Sequence, residues 1–286
     1  MKKAVAAAFL SLSLLSSVSL PTVALAQSTE SKTDFSEIND DWGADSLTPE
    51  QTEKLLTDVG LTRTELQQFP QEILEELLNN DAKKLAENSK EINMSKYLSK
   101  NNLATSGEEV DGGWLELNSK AFEVKSDDPD KKKFYFYGKY EWTDSPAFDL
   151  TDAVSIGFPD SAEFVLPMSS RGKVREHETR YCYRPDNDSS AKWKCSTDTS
   201  AHEWDNGMGV GNIMDLEEMP GNLAHKGYIG QYVYTERKSG YVNIKFEYGH
   251  QAIDVGNPEF AVYPAGLSIQ PESVDYTFDY GLEFEW

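Results

Sequence analysis

Cysteine is scarce in this chain. Its 286 residues contain two, Cys182 and Cys195, in the stretch RYCYRPDNDSSAKWKC. That spacing excludes the C-x-x-C redox pair, in which a helix start lowers one thiol pKa. Histidine is nearly as rare, with four residues: His177, His202, His225 and His250. They never form H-E-x-x-H. In HEWDN (202–206) Asn206 stands where the second histidine of a zinc-protease helix belongs. G-x-S-x-G is absent, so a nucleophile elbow is excluded. Gly207-Met208-Gly209-Val210-Gly211 precedes no Lys-Ser/Thr and sits in no βαβ context, which excludes a phosphate loop. Positive charge is also short: 27 Lys and Arg against 49 Asp and Glu give a net charge of −22. That balance opposes phosphate backbones and anionic membrane surfaces, so nucleic acid is not an expected partner.

The N-terminus carries its own signal. Lys2 and Lys3 precede an apolar stretch from Ala4 to about Leu20, and Ala24-Leu25-Ala26 is a small-x-small cleavage site. Serines and Pro21 interrupt the stretch, and no stop-transfer pattern follows. Residues 1–26 therefore read as a cleaved signal peptide, with no cysteine at the cleavage point to carry a lipid. The expected localisation is secreted and extracellular, with no stable membrane insertion. Two cysteines in an oxidising compartment most simply form one disulfide. Residues 27–45 are polar and acidic and read as a disordered tether.

Residues 46–103 read as a small helical module. Thr48-Pro49-Glu50-Gln51 is a capping box with proline at the first helical position, and this helix should stop at Gly60. Thr62-Arg63-Thr64-Glu65 is a second capping box, ended by Pro70. A third helix, QEILEELLNN, places Ile73, Leu74, Leu77 and Leu78 on one face. A weaker helical stretch is expected through Lys83, Lys84 and Leu85, then a polar connector over 88–112. The pattern Gly60, Leu61, Thr62, Glu65, Leu66, Phe69, Pro70, Glu72 resembles the N-terminal segment of uncharacterised secreted proteins of Bacillus-like Gram-positive bacteria. YGKYEWTDSPAFDLTDAVSIGF is similar to a segment that follows in them. The resemblance covers about a quarter of the chain. It implies a Gram-positive secreted protein and assigns no catalytic residue.

Residues 113–286 read as strands. FYFYGKYEW (134–142) alternates Phe134, Phe136, Tyr140 and Trp142 against Tyr135, Tyr137, Lys139 and Glu141. GYIGQYVYTE and YVNIKFEYGH flank Arg237-Lys238-Ser239-Gly240, which predicts a hairpin. SVDYTFDYGLEFEW puts Val274, Tyr276, Phe278, Tyr280, Leu282, Phe284 and Trp286 on one face and acidic or small residues on the other. The expected fold is mainly β: an antiparallel, jelly-roll-like β-sandwich preceded by the helical module.

Candidate sites are few. Pairing Cys182 with Cys195 across a hairpin centres its turn on Asp188-Ser189 and sets Arg184 beside Trp193, a cation–π pair. Glu203 and Asp205 share a strand face about 7 Å apart, a spacing found in glycosidase acid pairs. The E-x-D-x-x-E strand motif of jelly-roll glucanases is similar, but Met208 replaces its last acid. Asp127, Asp128 and Asp130, and Asp186 and Asp188, form acidic turns that admit calcium without EF-hand spacing; no other cofactor is expected. Tyr135, Tyr137, Trp193, Trp204 and Tyr241 are aromatic candidates for stacking on a ligand such as a polysaccharide. These features point to a non-enzymatic binding or interaction protein at the cell surface or in the extracellular matrix, with a polysaccharide or cell-surface component as partner. The alternatives are an extracellular glycan- or cell-wall-active hydrolase and an outer-membrane β-barrel, the latter suggested by the aromatic C-terminal strand.

Overall fold

The helical module follows from its caps. In a computed structural model, which describes residues 42–43, 46–98, 113–146, 150–188, 190–217, 222–252 and 256–286, Thr48 Oγ1 accepts from Gln51 N at 3.2 Å while Gln51 Oε1 accepts from Thr48 N at 2.9 Å. Helix α1 (Pro49–Lys54) continues as a π-helical turn to Val59 and stops at Gly60, whose φ of 86° only glycine adopts freely. Thr62 and Glu65 close the second capping box on α2 (Arg63–Leu66). Helix α3 (Gln71–Asn79) buries Ile73, Leu74 and Leu77. The signal segment, most of the acidic tether and Ser189 lie outside the described residues.

The strands run in chain order as β1 (Lys83–Asn93), β2 (Trp114–Val124), β3 (Lys132–Trp142), β4 (Thr151–Gly157), β5 (His177–Pro185), β6 (Lys194–Asp198), β7 (Glu203–Asp205), β8 (Gly209–Asp215), β9 (Leu223–Thr235), β10 (Tyr241–His250), β11 (Phe260–Tyr263), β12 (Gly266–Ile269), β13 (Tyr276–Asp279) and β14 (Leu282–Glu285). The first sheet has the order β1-β2-β3-β9-β5-β6. The second has the order β13-β10-β4-β8-β7, with β14 also paired to β10. Both are antiparallel and open, and they do not close into a barrel.

One core lies between the sheets. Phe134, Phe136, Tyr140 and Trp142 of β3 meet Val242, Ile244, Phe246 and Tyr248 of β10, together with Tyr276, Phe278, Tyr280, Leu282 and Phe284. The second core lies on the outer face of the first sheet. There Tyr135, Tyr137, Phe122, Tyr228 and Tyr232 pack against Leu55, Leu66, Phe69, Ile73, Leu74 and Leu77 of the helical module. Phe69 stacks 4.5 Å from Tyr137, centroid to centroid. The module is fastened by charge as well. Glu65 Oε1 lies 2.9 Å from Lys84 Nζ and 3.3 Å from the buried Lys120 Nζ. Burial works to raise the Glu65 carboxyl, but the hydrogen bonds it shares with Glu87, Lys84 and Thr62 outweigh that and hold its pKa at about 2.

Three expectations change. Lys83–Leu85 is not helical: it opens β1, which pairs with β2 as a polar edge strand and takes up part of the expected connector. The segments on either side of Arg237-Lys238-Ser239-Gly240 do not form a hairpin. β9 pairs with β3 and β5 while β10 pairs with β4, β13 and β14, so the turn carries the chain from one sheet to the other. The C-terminal strand is broken at Tyr280-Gly281, although its alternating face is buried from Val274 to Phe284 and half-buried at Trp286. A Cβ at Gly281 would lie 2.5 Å from the Ile244 carbonyl oxygen, which requires glycine there.

Candidate functional site

Helix α3 covers the outer face of the first sheet incompletely. Beside it a cleft of about 250 Å³ opens, lined by Ile73, Glu76 and Asn80 from the helical side and by Lys133, Tyr135, Glu176, Glu178 and Tyr232 from the sheet. Asn80 ends α3 by donating Nδ2–H to the Glu76 carbonyl at 2.9 Å. Gly230 lies in the floor, where a Cβ would meet the Tyr135 hydroxyl at 2.4 Å.

The cleft is charged and aromatic. Lys133 Nζ lies 2.8 Å from Glu176 Oε2 and sits over the rings of Tyr232 and Tyr234, 4.6 Å and 5.0 Å from their centroids. Glu176 has φ +52°, a left-handed conformation that costs a non-glycine residue about 1 kcal/mol. Its side chain is 27% exposed and that of Glu178 is 31% exposed. Glu178 Oε1 accepts from the Tyr228 hydroxyl and lies 3.6 Å from Arg180 Nη2; Arg180 also pairs with Glu72 of α3. The lining thus sets three carboxylates against one ammonium.

Two groups, Glu76 and Tyr232, are incompletely satisfied at the cleft wall. Burial pushes the Glu76 carboxyl upward, the neighbouring Tyr232 hydroxyl opposes the rise, and the Glu178 charge adds to it. Among the described residues Glu76 makes no ion pair. Tyr232 is 5% exposed. Its hydroxyl reaches the Glu76 carboxyl in a poorly aligned hydrogen bond. Burial, then the Glu76 charge, drives the Tyr232 pKa upward, so the hydroxyl stays protonated.

The residues singled out from sequence fall in several places. Cys182 and Cys195 are bonded, directly opposed across β5 and β6, and Arg184 stacks 4.6 Å from the Trp193 centroid. Trp193 is buried in that small cluster, with Lys226 on it at 4.1 Å. Tyr135 lines the cleft; Tyr137 lies buried beneath the module and donates to the Gln68 carbonyl at 3.3 Å. Trp204 packs at the edge of the inner core. Tyr241 is 60% exposed and donates to Glu283. Glu203 is exposed on β7, and Asp205 Oδ1 accepts from Gly207 N at 3.0 Å. Neither lines the cleft.

The acidic turns spend their oxygens internally. Asp127 accepts from the Tyr234 hydroxyl at 2.8 Å, which lowers its pKa, and Asp128 Oδ1 accepts from Asp130 N. Asp188 Oδ1 accepts from Ser190 Oγ and N, which lowers its pKa. Asp186 Oδ2 accepts from Ser145 Oγ at 3.5 Å. Among the described residues no three His, Cys, Asp or Glu side chains converge to hold a metal ion.

The histidines occupy separate environments. His177 is held between the sheets by Gln231 and Thr179, and burial lowers its pKa to about 4. His225 stacks on Tyr181, and His250 lies 2.8 Å from Asp152 within a buried set that includes Tyr248 and Trp142. The His202 ring lies 6.3 Å from that of Phe260.

Sequence reading missed Glu76, Glu176, Glu178 and Tyr232. The signal for two of them was present: Glu176-His177-Glu178 has the same alternate spacing as Glu203-Trp204-Asp205. A second cleft, about 390 Å³, lies across β1, β2 and β3 and is lined by Gln68, Lys90, Glu91, Glu116, Asn118 and Lys139 among others. In it Glu91 and Glu116 stand directly opposite each other, and Glu141 stands opposite Glu116 on the next strand.

No family model matches the chain, and no curated protein matches it. Among solved structures it is similar to Clostridium perfringens delta-toxin, at 8% identity and a TM-score of 0.28 over 71% of this chain and 89% of that one. It is similar to the KRT10-binding region domain of the pneumococcal serine rich repeat protein PsrP, at 8% identity and a TM-score of 0.26 over 70% and 98%. It is also similar to the Clostridium perfringens NetB toxin in the membrane inserted form, at 8% identity and a TM-score of 0.25 over 71% and 94%. Likeness of this degree assigns no function.

Proposed function

We propose that this is an exported, non-enzymatic binding protein that acts at the cell surface or in the extracellular matrix, with the cleft beside α3 as its ligand site. One observation carries the reading. The buried Tyr232 hydroxyl, whose hydrogen bond to the half-buried Glu76 carboxyl is poorly aligned, faces an open cleft lined by two further carboxylates. Leaving a buried hydroxyl incompletely satisfied costs about 1–3 kcal/mol. A ligand that completes it recovers that cost on binding, and convergent polar groups in a concave site are how such ligands are oriented. The disulfide agrees with export, since such bonds persist in oxidising compartments.

The test uses purified Gln27–Trp286 on whole cells, isolated cell walls and extracellular matrix. Saturable retention on one of these surfaces, weakened by Tyr232→Phe, is expected. Absence of retention on all three, or release of reducing ends from a glycan panel with or without Ca²⁺, would replace the binding reading.

A further inference from the structure

The lining of the α3 cleft is selective for charge. Glu76, Glu176 and Glu178 face one internal ammonium, Lys133, which is already paired with Glu176. Glu178 is met by Arg180, but a neutral polyol would leave Glu76 without a cation in a half-buried space, where an unpaired charge is costly. Stacking of a sugar ring is also blocked. Lys133 lies over the Tyr232 ring, and Tyr135 packs against Tyr232 with ring centroids 4.6 Å apart. A metal ion lacks a converging donor set among the described residues.

A primary ammonium group fits what is left. It carries three N–H donors and no acceptor. The cleft offers three acceptors: the Glu76 carboxylate, the lone pairs of the Tyr232 hydroxyl, which accept nothing, and Glu178 Oε2, whose companion Oε1 serves Tyr228 and Arg180. Ile73 and Tyr135 supply an apolar wall beside these acceptors, suited to a methylene stem. We propose that the cleft beside α3 binds a primary alkylammonium, the end of a lysine side chain, with Glu76, Glu178 and Tyr232 receiving its three N–H groups. The inference rests on the binding reading above and names the ligand class of that site.

Titration calorimetry on purified Gln27–Trp286 tests it, with n-butylammonium and Nα-acetyl-lysine amide as probes. The controls are the Nζ-acetylated lysine derivative, tetramethylammonium, glucosamine and N-acetylglucosamine. Both alkylammonium probes should bind, and the acetylated and quaternary compounds should bind about tenfold more weakly or less. Tyr232→Phe should weaken the lysine probe about tenfold, and Glu76→Gln should do the same through a different acceptor. Each variant is checked for an unchanged circular-dichroism spectrum, and the pair keeps the test independent of one variant's folding. Binding of glucosamine in preference to both alkyl probes overturns the alkyl assignment. Binding of N-acetylglucosamine that Tyr232→Phe weakens overturns the cation assignment and leaves the cleft as the binding site. If no probe binds and Tyr232→Phe leaves surface retention unchanged, the cleft reading itself fails.

Discussion

At the scale of single residues, burial decides what each polar group does. His177 is the clearest case. Its ring is enclosed between the sheets, and burial lowers its pKa from 6.5 to about 4. The unfolded chain therefore binds a proton in that window and the folded chain does not. Stability should fall as pH drops from about 6.5 to about 4, by roughly 3 kcal/mol, and this contribution should be flat below that. Urea unfolding across the window measures it, and His177→Gln should flatten the slope. A slope unchanged in that variant would show that another group titrates there. The same logic explains what could be read in advance. Cys182 opposite Cys195 and Arg184 on Trp193 followed from counting residues around one turn. Tyr232 did not stand out, because nothing in its neighbours shows which of the second-face tyrosines keeps an unmet hydroxyl.

At the scale of elements, local rules held where the partner was local. Both capping boxes, the stop at Gly60 and the buried face of α3 followed from sequence, because a cap is decided within a few residues. β1 was misread for the opposite reason. KKLAENSKEIN lies on an edge, mostly solvated, so the alternation that marks a half-buried strand is missing. β3 and β9 show a related effect: both of their faces are covered, so side-chain polarity on the second face does not report exposure. Elements also carry specific costs. Glu116 stands opposite both Glu91 and Glu141, and burial, then the Glu141 charge, raises its pKa. Directly opposed like charges are destabilising, though solvent keeps the effect small. Glu116→Gln should therefore raise stability at neutral pH by about 0.5 kcal/mol. The gain should shrink as acid protonates the wild-type carboxyl, which paired thermal melts would show; no gain at neutral pH would count against the opposed row. On the disulfide-linked pair β5 and β6, Cys182→Ser with Cys195→Ser should cost about 3 kcal/mol and leave ligand retention at low temperature intact. Loss of retention with the fold preserved would move the binding site to this hairpin.

At the scale of the whole molecule, the class of fold was legible and the path of the chain was not. Alternating strands between turn residues specify an antiparallel sandwich, and hydrophobic faces assign its core. They do not say whether the next strand joins the same sheet. A turn such as Arg237-Lys238-Ser239-Gly240 serves a hairpin and a crossing equally well, and only the covering of both sheets decides between them. The cleft shared this difficulty, since its walls come from α3, the start of β5 and β9, far apart in sequence. That wiring has a kinetic cost. Strands successive in the chain repeatedly lie in opposite sheets, and β10 finds β4 on one side and β13 and β14 on the other. Such non-local pairings close large loops before they gain contacts, and folding slows accordingly. The second sheet cannot be sealed until residues 276–286 are available, down to the two hydrogen bonds between Gly240 and Trp286. A chain that emerges N-terminus first therefore holds β10 with one side open until residues 276–286 arrive to cover it.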